Sequence, residues 1–195
     1  MATVIQLPQS TRNTVGAHRK KADEPVIRLF LVVRLAFADM PFWRRLDVPG
    51  RYNLFNLHQV IQVAMSWDDH AAHQFMVGKM LYRTFAARPL RFEESQYDER
   101  QARLQSLTER MRFIFQYFYE ADNAWECGIE LEGIEELAPG APLEPAALLA
   151  GQGKFPDEDI ADAYALNVYC QAHPETAAVL TAAEIAAINE RLRQL

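Results

Sequence analysis

Phe115 to Glu132, FQYFYEADNAWECGIELE, limits the possible folds more than any other stretch of the chain. Phe113, Phe115, Tyr117 and Tyr119 alternate along one arm, and Trp125, Cys127, Ile129 and Leu131 along the other. Successive side chains of a strand point to opposite faces, so the two arms share one aromatic face while Glu126, Glu130 and Glu132 point the other way. Between them Ala121–Asp122–Asn123–Ala124 holds the residue types that tolerate a turn. This is a β-hairpin with one wet, acidic face, and its ring-bearing face must find cover from the rest of the chain.

The remaining elements follow from the same periodicity. In VIRLFLVVRLAF, from Val26, alternation gives a strand whose middle is covered on both sides. Arg44 to Val48 is a second extended segment, ended by Pro49–Gly50. Asn53 caps a helix over 53–67 that carries Leu54, His58, Ile61 and Met65 on one stripe. Short strands at 73–77 and 80–83 join across Gly78–Lys79. No element is assigned to 84–100. A short helix is expected at 145–150 and a longer one at 157–172, with Ile160, Tyr164 and Val168 on its stripe. The last helix opens on the capping box Thr181 and Glu184, with Ile185, Ile188, Leu192 and Leu195 inward. Strands precede helices without a βαβ repeat. The expected architecture is therefore a single α+β domain over 25–195: a mixed or antiparallel sheet with one long hairpin, packed by a central helix and C-terminal helices. Residues 1–24 lack periodicity and read as a flexible leader.

Charge narrows the function classes. Residues 1–100 carry a net +4 and residues 101–195 a net −10, together the −6 of the chain. No basic residue lies between Arg112 and Lys154. Such a surface repels phosphates, so nucleic-acid contact would fall to Arg44–Arg45 or to the basic leader with its Arg19–Lys20–Lys21 cluster. Two cysteines, Cys127 and Cys170, are too few for a disulfide framework, and no apolar run reaches the length of a membrane span. A reduced, cytoplasmic protein with no membrane partner is the expectation.

Several residues could carry chemistry. His58 lies on an apolar stripe, where it is either a core group bonded to a backbone carbonyl or a ligand or proton shuttle at a cleft; the core reading takes precedence. His70 and His73, three apart, could join Asp68 and Asp69 in a site for a divalent metal such as zinc or manganese, but without a fuller motif they read first as surface histidines. Asp157, Glu158 and Asp159 either chelate a hard cation or open a helix at the positive end of its dipole. Trp43, Arg44 and Arg45 could bind a phosphate or a base, and Asp122, Trp125 and Glu126 could line a pocket at the hairpin end; alternation directs Trp125 inward. Cys127, on the apolar face, reads as inert. There is no GxGxxG, no GxxxxGK[ST] and no GxSxG, and serine occurs only at positions 10, 66, 95 and 106.

The ordered blocks PFWRRLDVP, LHQVIQVAMSWDDHAAHQF, FQYFYEADNAWE and LLAGQGKFPDED resemble the plasmid pRiA4b ORF-3-like family over about residues 26–166. Its members are small proteins scattered among plasmids and bacterial and archaeal genomes. The resemblance implies an α+β fold and a mobile-element setting, but no established activity. Where the family has Tyr-Asp-Phe-Gly-Asp-x-Trp-Glu-His, this chain ends in Trp125-Glu126-Cys127. Where it has Cys-Pro-Pro-Glu-Asp-Cys, this chain has Phe155 and Ile160 in the cysteine places. A metal site built on that histidine and those cysteines is therefore missing here. Some relatives carry a transposon-resolvase label; the nucleophilic serine among arginines that this chemistry needs is absent.

Three readings result. The first is a non-enzymatic binding module, its protein or small-molecule ligand near Trp43, Arg44, Arg45, His58, Asp122, Trp125 and Glu126, and with no cofactor. The second is a metal-dependent hydrolase using His58, His70, His73, Asp68 and Asp69. The third is an accessory protein in DNA transactions. Oligomeric state has no sequence signature here.

Overall fold

Buried and half-buried residues alternate without a break along Phe115–Tyr119 and Trp125–Ile129, and these strands form the centre of one mixed sheet. The computed structural model describes residues 25–84, 96–112, 115–119, 125–156 and 160–195. The leader, the hairpin turn with Asp122, the Asp157–Glu158–Asp159 run and Phe113 lie outside the described residues.

In chain order the elements are β1 (Ile27–Leu35), β2 (Trp43–Pro49), α1 (Leu54–Met65), β3 (His73–Val77), β4 (Met80–Arg83) and β5 (Gln96–Asp98). A 3-10 turn at Glu99–Gln101 leads into α2 (Leu104–Met111), followed by β6 (Phe115–Tyr119), β7 (Trp125–Glu136) and β8 (Ala147–Gln152). The chain closes with α3 (Ala163–Ala172), a second 3-10 turn and α4 (Ala182–Leu192). The sheet runs β5-β4-β3-β6-β7-β1-β2-β8, parallel between β4 and β5 and antiparallel at the other pairings. It is an α+β fold.

α1 closes over the sheet because its sequence buries two adjacent stripes. Leu54, Leu57, Val60, Ile61, Ala64 and Met65 are all buried, and each large aliphatic contributes about 1.5–3 kcal/mol. Asn53 accepts from the amide of Asn56, whose side chain answers the Asn53 amide in return. At the far end Ser66 adopts a left-handed conformation (φ 65°) and stops the helix.

Elsewhere the structure departs from the sequence reading. Residues 147–152 form a strand where a short helix was expected, because the edge of β2 offers main-chain partners that a helix would leave unpaired. The outer edge of β8 is closed in turn: Asn189 accepts from the Leu148 amide and donates to its carbonyl, and the Leu180 amide reaches the Gly151 carbonyl. α3 begins at Ala163 and docks through Leu166 and Cys170. The predicted stripe of Tyr164 and Val168 faces solvent, at 78% and 51% exposure, since the parallel 166/170 stripe has the same spacing. Leu195 is also exposed. β5 and α2 occupy sequence that had no assignment. No helix among the described residues is long and apolar enough to cross a membrane.

Candidate functional site

Two polar residues interrupt the buried face of α1 one turn apart, His58 and Gln62. Burying them requires partners, and β6 supplies one: Gln62 Nε2 donates to the Tyr117 hydroxyl at 2.8 Å, and that hydroxyl lies 2.8 Å from His58 Nδ1. The α1–β3 connection supplies the other. Its second left-handed residue, Asp69 (φ 58°), turns back so that its amide donates to Gln62 Oε1 at 3.0 Å and its carboxylate meets His58 Nε2 at 2.8 Å. Asp tolerates this conformation better than most residues, and the main-chain bond to Gln62 holds it there.

β3 then brings His73 beneath the cluster. Its ring stacks on His58, with centroids 3.4 Å apart and planes inclined by 3°. His73 Nε2 is 2.9 Å from Glu99 Oε2, and Thr84 Oγ1 donates to the other Glu99 oxygen. Glu99 is 0% exposed, a carboxylate wholly removed from water and held by these two groups. It arrives through the parallel pairing of β5 with β4, which sets Asp98 beside Arg83.

Electrostatics fixes the protons. Burial, reinforced by the neighbouring His73, lowers the His58 pKa to about 4, so the ring is neutral. Burial also raises Tyr117 well above its ordinary value, so the phenol keeps its proton. Gln62 therefore donates to Tyr117, Tyr117 to His58 Nδ1, and His58 Nε2–H to Asp69.

His58, Asp69 and His73 each present a ligand atom within 4.8 Å of the other two. Two imidazoles and a carboxylate are a donor set for zinc, manganese or ferrous iron. Metal-bound histidines characteristically have their second nitrogen held by an outer partner. Tyr117 stands in that relation to His58 and Glu99 to His73. Asp69 is 51% exposed at its side chain, which opens the cluster to solvent.

The other predicted residues go elsewhere. Asp68 pairs with His70, whose amide donates to Tyr119 at 3.0 Å, so this pair sits beside the cluster and not in it. Trp43 Nε1 donates to Gln152 at 3.2 Å. Arg44 is buried and donates to the carbonyls of Ala64, Trp43, Gln152 and Gly153 at 2.7–2.9 Å. Gly153 reaches that position with φ 83°, and a Cβ there would meet the Phe42 ring at 2.4 Å. Arg45 pairs with Glu132 on the outer sheet face, and Glu126 accepts from Gln116 at 2.7 Å. Trp125 packs edge-on to Phe155 with centroids 4.9 Å apart, inside the core as its alternation requires. Cys127 is buried, and that burial pushes its pKa above the usual thiol range, which disfavours the thiolate.

Sequence reasoning missed Gln62, Tyr117 and Glu99. Gln62 had a signal: a second polar residue one turn from His58 on a buried stripe. Tyr117 was hidden among core rings, and Glu99 lay in a stretch without periodicity.

The chain is 28% identical over 143 residues to "Uncharacterized protein y4hQ" of Sinorhizobium fredii (strain NBRC 101917 / NGR234), covering 73% of this chain and 71% of that one. Its fold is similar to a solved structure, "Crystal Structure of Protein of Unknown Function MM3350 from Methanosarcina mazei Go1", with TM-score 0.65 and 22% identity over 78% of this chain and 84% of that one. The family profile described as "Plasmid pRiA4b ORF-3-like protein" matches residues 28–184, most of the sheet and its helices, and the chain belongs to that family.

Proposed function

We propose that this protein is a binding module whose ligand is a divalent transition-metal ion, held by His58 Nε2, a carboxylate oxygen of Asp69 and a ring nitrogen of His73. The observation that carries the reading is the convergence of these three groups within 4.8 Å, with each imidazole backed by its own partner. Glu99 holds Nε2 of His73, which leaves Nδ1 as the lone-pair donor. At His58, Nε2 would hold the ion, with the ring proton on Nδ1 facing the Tyr117 oxygen. The His58 and His73 rings are inclined by only 3°, so holding one ion would require their lone pairs to be reoriented toward it.

The test is metal content. Protein purified without a chelating tag, loaded with zinc or manganese and desalted, is expected to retain about one equivalent. His58→Ala and Asp69→Asn should each lower it. Retention below about a tenth of an equivalent in the parent protein excludes the site.

One feature supports hydrolysis as a second reading. A site with three protein ligands would have room for a bound water, and Asp69 is 51% exposed at its side chain; a metal-bound water there would be activated as a nucleophile near neutral pH. Metal-dependent cleavage of a simple phosphodiester or ester, lost in His73→Ala, would support this reading; metal retention with no turnover would leave a binding module alone.

A further inference from the structure

A concavity of about 290 Å³ lies between the end of β8 and α4, apart from the histidine cluster. Its walls are of two kinds. Phe155, Leu180, Ala187 and Ile188 form an apolar side. Arg44, Lys154 and Arg191 face them with a single carboxylate, Glu184. Three cations against one anion give the groove a local charge of +2, within a chain whose net charge is −6.

The cations are not equivalent. Lys154 is occupied by Glu184 at 2.7 Å. Arg44 gives four N–H groups to four neutral carbonyls, so its charge is hydrogen-bonded but meets no carboxylate in direct contact among the described residues. A guanidinium carries five N–H groups, which leaves one over. Arg191 stands on the last turn of α4 and makes no ion pair among the described residues. A buried cation with neutral partners favours an anion brought beside it, and a concave wall focuses that field.

We infer that this groove is a binding site for a small amphipathic organic anion: a carboxylate head directed to Arg191 and Arg44, and an aryl or short alkyl body against Ile188, Leu180 and Phe155. The volume lies at the lower end of the range for small-molecule sites, which suits a compact ligand. The site does not depend on the metal reading, although Ser66 at its rim belongs to the same connection as Asp69.

Phenylacetate, its neutral analogue phenylethanol and inorganic phosphate are the probes, titrated against the full chain with backbone amide NMR as the readout. Saturable shifts centred on residues 180–191 are expected for phenylacetate. Binding should weaken about tenfold for phenylethanol, for phosphate and for Arg191→Gln, each of which removes one recognition element. Ala187→Leu, which fills the groove on an exposed helix face, should also weaken binding while leaving the thermal midpoint in place. Absence of saturation by about 10 mM phenylacetate overturns the inference, since a two-element site should bind at least that well. Equal binding of phenylacetate and phenylethanol also overturns it, because the cations would then contribute nothing, as does binding unchanged in both variants.

Discussion

Arg44 and His58 are both polar side chains buried in the same sheet-and-helix core, yet their hydrogen-bond networks end differently. Arg44 fastens β2 to the end of α1 and to the residues following β8, and each contact it makes is to a main-chain carbonyl. Those four bonds are closed, since exchanging any of their partners would require moving the backbone, and an anion beside Arg44 would have to use its remaining N–H. The His58 network runs through Tyr117 and Gln62 and then reaches a half-exposed carboxylate, with a second imidazole stacked alongside. It has a solvent-facing end and lone pairs that can be redirected. Burial of a polar group is therefore not by itself a sign of function. What distinguishes the two is whether the existing partners can be exchanged for a ligand without unfolding something.

The largest expected effect is on the closed network. Arg44→Met should destabilise the protein by about 3 kcal/mol or more, because four carbonyls lose their donor together, a buried one costing roughly 1–3 kcal/mol when left unpaired. Urea denaturation measures this, and a loss below about 1 kcal/mol would mean that water replaces the guanidinium. On the open side His58→Ala should abolish metal retention while costing only about 2 kcal/mol of stability. If that order of stability costs is reversed, the contrast between the networks fails.

Glu99→Gln sharpens the same comparison, because the amide keeps the shape but loses the charge behind His73. A 10–100-fold loss of metal affinity is expected, read by competition with a chelating dye. An unchanged affinity would make Glu99 a purely structural group.

Acid should find the open network first. His58 has a pKa of about 4 in the folded protein and an ordinary value of 6.5. The unfolded chain therefore binds more protons between those values, and stability rises with pH across the window. Metal-free protein should be most stable above pH 6.5 with respect to this group, losing that contribution as pH falls toward 4. His58→Gln should flatten the slope. The smallest effect belongs to Glu184, whose pKa drops to about 2 through Lys154 and then the Thr181 amide. Its contribution is present above its ordinary 4.5 and lost as pH falls toward 2, so Glu184→Gln should differ from the parent only on the upper side.

Local pattern made much of the fold legible. The alternation of Tyr117, Tyr119, Trp125 and Cys127 placed them inward, and they are buried there. The Asn53 cap and the Thr181–Glu184 box marked two helix starts at the residues where they occur. Where two stripes of equal spacing competed, as in α3, the sequence alone could not choose between Tyr164/Val168 and Leu166/Cys170. A short helix was expected at 145–150, but the open edge of β2 draws 147–152 into a strand instead. The candidate site was half visible: His58, Asp69 and His73 were each singled out, but with His70 and Asp68 as partners that the structure places outside the cluster.

By itself the sequence determined which faces of which segments avoid water, because periodicity is a property of neighbouring residues. Only the tertiary structure decided which polar groups meet. Glu99 lies 26 residues from His73 and Tyr117 lies 59 from His58, so their contacts depend on strand order, and no short-range pattern encodes that order.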